Sequence, residues 1–381
     1  MKVLYITFIN EDLRPGYKTK IHSQCKAFHK LGVESYLYIV KKYGMALYHI
    51  GDDETIINEY RSNHKRKSEE KNIYDELNLI QFWASQLKII VKNIQPDMVY
   101  VRRIVPLNPW LMRVLSWIKK RGIKIIYEYP SHPWKNEMIK SGRKVFYLLD
   151  CFYYKRLIRL VDIITYMGVY LGDDSKFLKL SNAVDVMTFP VHKKRNTKDV
   201  ALIGVAHLAY YHGYDRVIRG MGEYYASNPK RDVLFHIVGP VDAGLGLEML
   251  AEECGVAEKV IFHGFQSGKD LDLLFDYADI GVECLAMFRR DSEETAVSGS
   301  LKSREYLARG VPFIMSGKMD IPVKELEFIF ELVESEECVN ISKILEWYDN
   351  LKQTPENIRA YAIQNLSWTY QMEKVLKKLE E

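Results

Sequence analysis

Cysteine is scarce in this chain. The five residues (Cys25, Cys151, Cys254, Cys284 and Cys338) are odd in number, far apart and never spaced as C-x-x-C. That excludes a disulfide scaffold and points to a reducing compartment. No histidine–cysteine cluster has metal-ligand spacing, so no metal site is expected. No stretch reaches the roughly 18 apolar residues needed to cross a bilayer. The run Val3–Ile9 is short and lacks a small-residue cleavage site, so it reads as a buried strand rather than an export signal. These absences set the expectation of a soluble, cytoplasmic protein. Nucleic-acid motifs are also missing. The basic run His64–Lys67 leads directly into Glu69 and Glu70, and no nucleic-acid partner is expected.

The chain does hold enough apolar sequence to fold. With 48% hydrophobic and 27% charged residues and a net charge of +4, it is not a disordered segment. Its 381 residues suggest two domains at roughly 100–200 residues each. The small net charge conceals a polarity. Residues 1–190 hold 31 Lys and Arg against 19 Asp and Glu, an excess of 12, which leaves −8 for the remainder. Such halves suit different partners. The basic half could meet anionic lipid or a polyphosphorylated substrate, or be only a solvated face.

Short apolar runs alternate with amphipathic helices, the pattern of βαβ units wound on a parallel sheet. In the first half, strands are expected at Val3–Phe8, Ser35–Val40, Met98–Arg102, Lys124–Tyr127 and Asp162–Tyr166. Helices are expected at Thr19–Leu31 and Leu77–Ile94, with residues 51–75 as a polar surface excursion. Pro190–Lys198 lacks apolar periodicity and reads as the linker. Winding then restarts. Strands are expected at Val200–Ala206, Val233–Val238, Val260–His263, Ile280–Cys284 and Val311–Met315. Helices are expected at Asp215–Tyr225, Gly246–Cys254, Asp270–Tyr277 and Leu301–Arg309. The fold class is therefore α/β with two doubly wound domains, and ligands belong at the carboxyl ends of the strands. Three segments are expected: 1–190, 191–365, and a C-terminal helix over 366–381.

Two stretches could hold chemistry. Val233–Val238 runs into Gly239, as where an α/β sheet brings backbone close to a phosphate or ribose, although a glycine there also makes an ordinary turn. In Ser298–Ile314 (SGSLKSREYLARGVPFI) a small polar loop opens a helix, with Lys302 in the first turn and Glu305 three residues on. Exposed amides and a lysine there would suit a diphosphate, and a carboxylate would suit sugar hydroxyls. A simple intrahelical Lys–Glu pair explains the same residues.

Taken in order, FHIVGP, KVIFHGF, LLFDYADIGVECL and LKSREYLARGVPFI resemble the donor half of a GT-B glycosyltransferase of the family 4 type. There a strand ends in Val-Gly, a V-x-F-x-G strand and an "aDi" strand follow, and a helix carries E-A-x-A-x-G-x-P-V-I. The resemblance covers residues 199–320 well and the first half loosely. It implies that Glu305 holds the nucleotide ribose, and that the backbone of Ser300 and Leu301 cradles the diphosphate. Phe265 would lie by the base, and Gly239 would let the donor approach. His207 and His212 fall where the family's arginine and lysine neutralise the diphosphate, which shifts the cationic role toward Lys302 or Arg304. The family's second glutamate is replaced by Val297, with Glu293 and Glu294 out of register. In the first half, Asn10–Lys20 corresponds to the family's glycine loop, with Gly16 allowing close approach and Lys18 or Lys20 adding charge. His132 stands near a family histidine that touches the donor sugar.

The resemblance implies a GT-B glycosyltransferase. It would move a sugar from a nucleotide donor (UDP favoured over GDP) to a glycan, lipid-linked or protein acceptor. Retention of configuration, no metal and no separate cofactor follow from the same source. The C-terminal helix would cross back onto the first domain. Two other readings stay open: a nucleotide-sugar 2-epimerase, and a silent GT-B subunit, motivated by His207, His212 and Val297. Asp270 and Asp272 form a literal D-x-D, but on an expected helix. The aromatic group Trp134, Phe146, Tyr147, Phe152, Tyr153 and Tyr154 reads first as core, and alternatively as an acceptor- or lipid-facing surface. Contact with an anionic membrane at its inner face is a further option.

Overall fold

The computed structural model describes residues 1–61, 73–132, 135–168, 175–193, 197–290 and 297–381. The chain forms two compact units, one of Met1–Ser181 with Trp368–Glu381 and one of Asn182–Ser367.

The first unit holds strands β1 (Lys2–Asn10), β2 (Glu34–Lys41), β3 (Gly44–Ile50), β4 (Glu54–Arg61), β5 (Met98–Arg102), β6 (Lys124–His132), β7 (Ile163–Gly168) and β8 (Phe177–Lys179). Their order across the sheet is β4-β3-β2-β1-β5-β6-β7-β8. Helices α1 (Pro15–Lys30), α2 (Ile73–Ile94), α3 (Pro109–Lys119), α4 (Lys135–Lys140) and α5 (Lys144–Leu160) connect them. The central strands are parallel and buried on both faces, which is why they read as unbroken apolar runs. One expectation needs correction. The sheet is not wholly parallel, because β2–β3 and β3–β4 pair antiparallel, and residues 54–61 of the expected surface excursion are strand. His64–Lys67, Glu69 and Glu70 lie outside the described residues. On one face, Trp83 of α2 is fully buried and stacks on Tyr38 at 5.8 Å. On the other, α1 lies against the chain's last helix, where Lys20 Nζ stands 5.1 Å from the centroid of Trp368.

The second unit has a six-stranded parallel sheet. Its strands are β9 (Val200–Val205), β10 (Val233–Val238), β11 (Val260–Phe262), β12 (Ile280–Val282), β14 (Phe313–Ser316) and β16 (Ile329–Leu332). The order β11-β10-β9-β12-β14-β16 reverses direction between β9 and β12, a doubly wound arrangement. A two-stranded pair joins β13 (Val297–Ser298) to β15 (Lys318–Met319). The helices are α6 (Tyr214–Ala226), α7 (Leu247–Glu253), α8 (Gly268–Asp276), α9 (Leu301–Arg309), α10 (Ile341–Asn350) and α11 (Pro355–Asn365); α12 (Trp368–Glu380) belongs to the first unit.

The expected linker Pro190–Lys198 is not where the units divide. His192 within it is buried in the second unit, its amide bonded to Arg309 O at 2.7 Å and its Nδ1 3.1 Å from Phe275 O. Charge at the surface of that segment hid one anchored histidine.

Candidate functional site

The second unit gathers its chemistry at the carboxyl ends of its strands. The segment after β9 is tied to the one after β10: Ala206 N donates to Val238 O at 2.9 Å and Leu208 N to Pro240 O at 2.7 Å. Gly239 sits at φ +121°, and a Cβ there would fall 1.9 Å from Ala206 O. Only glycine fits this crossing, whatever else approaches it. Its amide donates to Gly264 O at 2.7 Å, so the β9, β10 and β11 ends form one seam. Phe265, next along, is 74% exposed.

Helix α9 starts at the end of β12, the strand next to β9 on the side away from that seam. Ser300 caps it, its Oγ accepting from Ser303 N at 3.2 Å and donating to Glu283 Oε2 at 2.7 Å. The amides of Leu301 and Lys302 stand at the helix's open end, where the helix dipole favours an anion. Leu301 is itself exposed. Gly310 ends the helix at φ +79°, with Pro355 O 2.3 Å from the place of a Cβ.

Lys302 and Glu305 of α9 do not pair with each other. Lys302 lies over Glu283, Nζ to Oε1 3.6 Å, and its other neighbour is Cys284 Sγ at 3.7 Å. Burial would lower the lysine pKa, but the Glu283 carboxylate, joined by Cys284 and Tyr306, more than offsets it and holds the ammonium protonated. Nζ donates to Cys284 Sγ at a length ordinary for sulfur and meets Glu283 as an ion pair, so two of its three N–H groups make no hydrogen bond among the described residues. Burial pushes the adjacent Cys284 thiol up to about 11. Glu305 pairs one turn on with Arg309, whose Nε and Nη2 both reach Oε1, at 3.0 and 2.8 Å. Its Oε2 makes no hydrogen bond among the described residues, and the side chain is 19% exposed. Burial raises the Glu305 pKa against the pull of Arg309.

Other expected cations behave differently. His212 is buried, accepts from Ala209 N at Nδ1 (3.0 Å), and its pKa is pushed down to about 3 by burial and by Lys302. It is neutral at physiological pH and cannot replace a lysine at a diphosphate. His207 is exposed, and its Nε2 lies 3.1 Å from Asp242 Oδ1. Arg304 is fully buried and committed to Asp320, to Asn182 O at 3.0 Å and to Ser303 Oγ at 3.0 Å. It anchors α9 and has no guanidinium face to offer, so of the two cations expected on α9 Lys302 is the one left to meet a ligand. Glu293 and Glu294 lie outside the described residues; Val297 is in β13. Asp270 and Asp272 lie on α8, and Asp272 accepts from Arg309 Nη2 at 2.7 Å. Among the described residues no group of three His, Cys, Asp or Glu is placed to hold a metal.

A cavity of about 280 Å³ opens elsewhere in this unit, beside Leu208, Tyr210, Gly213, Met249 and Arg289. None of the expected donor residues lines it. Arg289 there is neutralised by Asp215 (2.8 and 3.0 Å) and Glu336.

In the first unit, Gly16 lies inside the first turn of α1 rather than in a loop, and nothing stands within 4 Å of a Cβ there. The hub of that region is Glu11. This buried carboxylate is held by His22 Nε2 at 3.0 Å and Tyr48 OH at 2.6 Å, with Lys18 and Lys41 at 3.9 and 3.7 Å. Burial would raise its pKa, yet His22 and Tyr48 bring it below the usual value. His132 ends β6, half-buried, its ring edge-on to Tyr166 at 6.2 Å.

Sequence reading missed Glu283, Glu11 and the pair Arg102–Glu128. Each was a charged residue within or just beyond an apolar strand run. That signal marks a buried carboxylate in want of a partner, and it was available. Of the aromatic group, Phe152 is 75% exposed and so is not core, while Tyr153 and Tyr154 pack against the core; Trp134 lies outside the described residues.

Residues 188–322 match the family described as "Glycosyl transferases group 1". No curated protein matches the sequence. Sucrose-phosphate synthase from Thermosynechococcus elongatus is similar at 12% identity and TM-score 0.62, covering 100% of this chain and 99% of that one. A glycosyltransferase from Rickettsia africae has 14% identity and TM-score 0.62, with 99% and 97% covered. Anabaena HepE, solved in complex with UDP, has 12% identity and TM-score 0.57, with 100% of both chains covered. The fold is thus GT-B, two Rossmann-like α/β units, and the segment similar to group 1 glycosyl transferases lies in the second unit.

Proposed function

We propose that this chain is a glycosyltransferase whose second unit binds a nucleotide sugar and whose product is a glycosylated glycan, lipid-linked or protein acceptor. The observation that carries the reading is on α9. Lys302 and Glu305, three residues apart at the helix start, each keep an unused polar group, inside the segment that matches group 1 glycosyl transferases.

The chemistry follows from charge. As the glycosidic bond to the leaving diphosphate breaks, negative charge grows on phosphate oxygen. Donors preset at a helix N-terminus, with an ammonium beside them, stabilise that charge without reorganising. Lys302 stays charged despite its burial, with Glu283 the strongest of the groups that hold it so. Glu305 Oε2 is free to accept from a ribose hydroxyl, a bond that would be short and charge-assisted. Use of a UDP donor draws support from the UDP complex of the similar Anabaena protein. Retention of configuration, independence from metal, and a sugar-contacting role for His132 rest on the family resemblance. So do the places of Gly16 and Phe265.

The test is a panel of UDP- and GDP-linked sugars incubated with the full chain. Release of the nucleoside diphosphate is followed by chromatography, and the sugar by mass spectrometry. Slow hydrolysis of at least one donor is expected even without acceptor. If no donor is turned over and none raises the unfolding temperature, the chain is a silent GT-B protein. Conversion of one donor into its 2-epimer with no group transferred would assign it to epimerisation instead.

A further inference from the structure

Helix α5 presents an outward face that is exposed among the described residues of the first unit. Its inner side is fixed by Leu157, fully buried, and by Asp150, which accepts from Arg103 Nη2 at 3.0 Å and Leu107 N at 2.7 Å. Tyr153, Tyr154 and Ile158 join the same core. Opposite them, Val145, Leu148, Leu149 and Phe152 are exposed, with Phe152 the most so. Their spacing of three and four residues draws them into one ridge about 10 Å long at 1.5 Å per residue.

The charges of that face are all of one sign. Lys144 precedes the ridge, and Lys155, Arg156 and Arg159 continue it at the same helical spacing, all four exposed. The helix's one acidic residue, Asp150, is turned inward and neutralised by Arg103. An apolar ridge with basic ends and no exposed acid is the composition of a helix that lies in a bilayer interface, its apolar side chains among the acyl chains and its cations at the headgroups. A second copy of the chain would bring the same cations against themselves, so self-association through this face is opposed by charge.

We propose that the α5 face is a docking surface for an anionic lipid bilayer, with Phe152 and Leu148 inserting and Lys144, Lys155, Arg156 and Arg159 meeting the headgroups. No transmembrane segment is involved: among the described residues no helix is long and apolar enough to span a membrane. The inference stands whether or not the second unit transfers sugar.

The test is flotation of the full chain with vesicles of phosphatidylcholine alone and of phosphatidylcholine with 30 mol% phosphatidylglycerol. Binding to the anionic vesicles is expected, weakening as salt rises. Replacing Lys155 and Arg156 by glutamine should lower the partition coefficient by about fivefold per charge removed. Phe152→Glu together with Leu148→Glu should lower it by about tenfold or more. Because all four side chains are exposed, unfolding temperatures should be unchanged, which separates lost docking from lost fold. Absence of flotation overturns the proposal. So does flotation that ignores these substitutions or is equally strong on phosphatidylcholine alone, and so does a dimer, seen in sedimentation, that Phe152→Glu dissolves.

Discussion

Glu128→Ala is expected to lower the stability of the first unit by about 3–5 kcal/mol, the effect of leaving a buried partner charge alone. Arg102 is only 1% exposed and Glu128 is fully buried, and the two meet at 2.7 Å between Nη1 and Oε1. The other carboxylate oxygen accepts from Tyr100 OH at 2.9 Å and Gln24 Nε2 at 3.0 Å. Burial drives the Tyr5 and Tyr100 phenols well above their ordinary pKa, with Glu128 pushing the same way, so both stay protonated and serve as donors. Truncation therefore strands a guanidinium, a phenol and an amide together, in a place water does not reach. Urea unfolding followed by circular dichroism should show the loss. Replacing both partners by apolar residues, Glu128→Leu with Arg102→Met, should recover most of it, since no charge is then buried. A loss below about 1 kcal/mol for the alanine variant would mean the network contributes little.

The second large effect is expected in the other unit. Glu283→Ala should cost about 3–5 kcal/mol, for the same physical reason acting on Lys302. Here the carboxylate is buried at the end of β12 and holds two things at once, the Lys302 ammonium and the hydroxyl of the α9 cap, Ser300. Without it, Lys302 loses the largest influence that opposes its burial and its pKa falls, so the helix end has a weaker cation as well as a lost anchor. Glu283→Gln separates the roles. An amide oxygen can still accept from Ser300 but cannot hold the ammonium charged, so this variant should keep helix capping and lose nucleotide affinity. Equal stability and equal affinity in both variants would remove Glu283 from the account.

How much of this was legible in the sequence depends on how far apart the partners lie. Met98–Arg102, Val233–Val238 and Leu301–Arg309 coincide with the structure residue for residue, because each is bounded by its own neighbours: buried apolar runs for the strands, Ser300 and Gly310 for the helix. Strand β4 was lost because it is solvent-facing along most of its length and carries little apolar signal, whereas β3 is buried almost throughout and its apolar run could have been read. The linker was misplaced because His192, a single buried residue, outweighed the charge around it. Lys302 and Glu305 were found together at helical spacing, but their partners were not. Arg309, four residues after Glu305, follows the ordinary i,i+4 rule and could have been read. Glu283 could be read as a buried carboxylate but not as the partner of Lys302, since only the fold brings the two together. The charge excess of the first 190 residues was visible from composition. That four of those cations share the outer face of α5 became visible only when Asp150 and Leu157 showed which way the helix faces.

The central claim is that the start of α9 binds the ribose and diphosphate of a nucleotide. Calorimetric titration of UDP into the full chain and into its Glu305→Ala variant tests it most directly. The account predicts saturable binding that weakens by about 1–3 kcal/mol in the variant, the value of hydrogen bonds to a charged acceptor, with the unfolding temperature little changed. Identical affinities for the two proteins, or no heat from UDP or GDP with either, would contradict it.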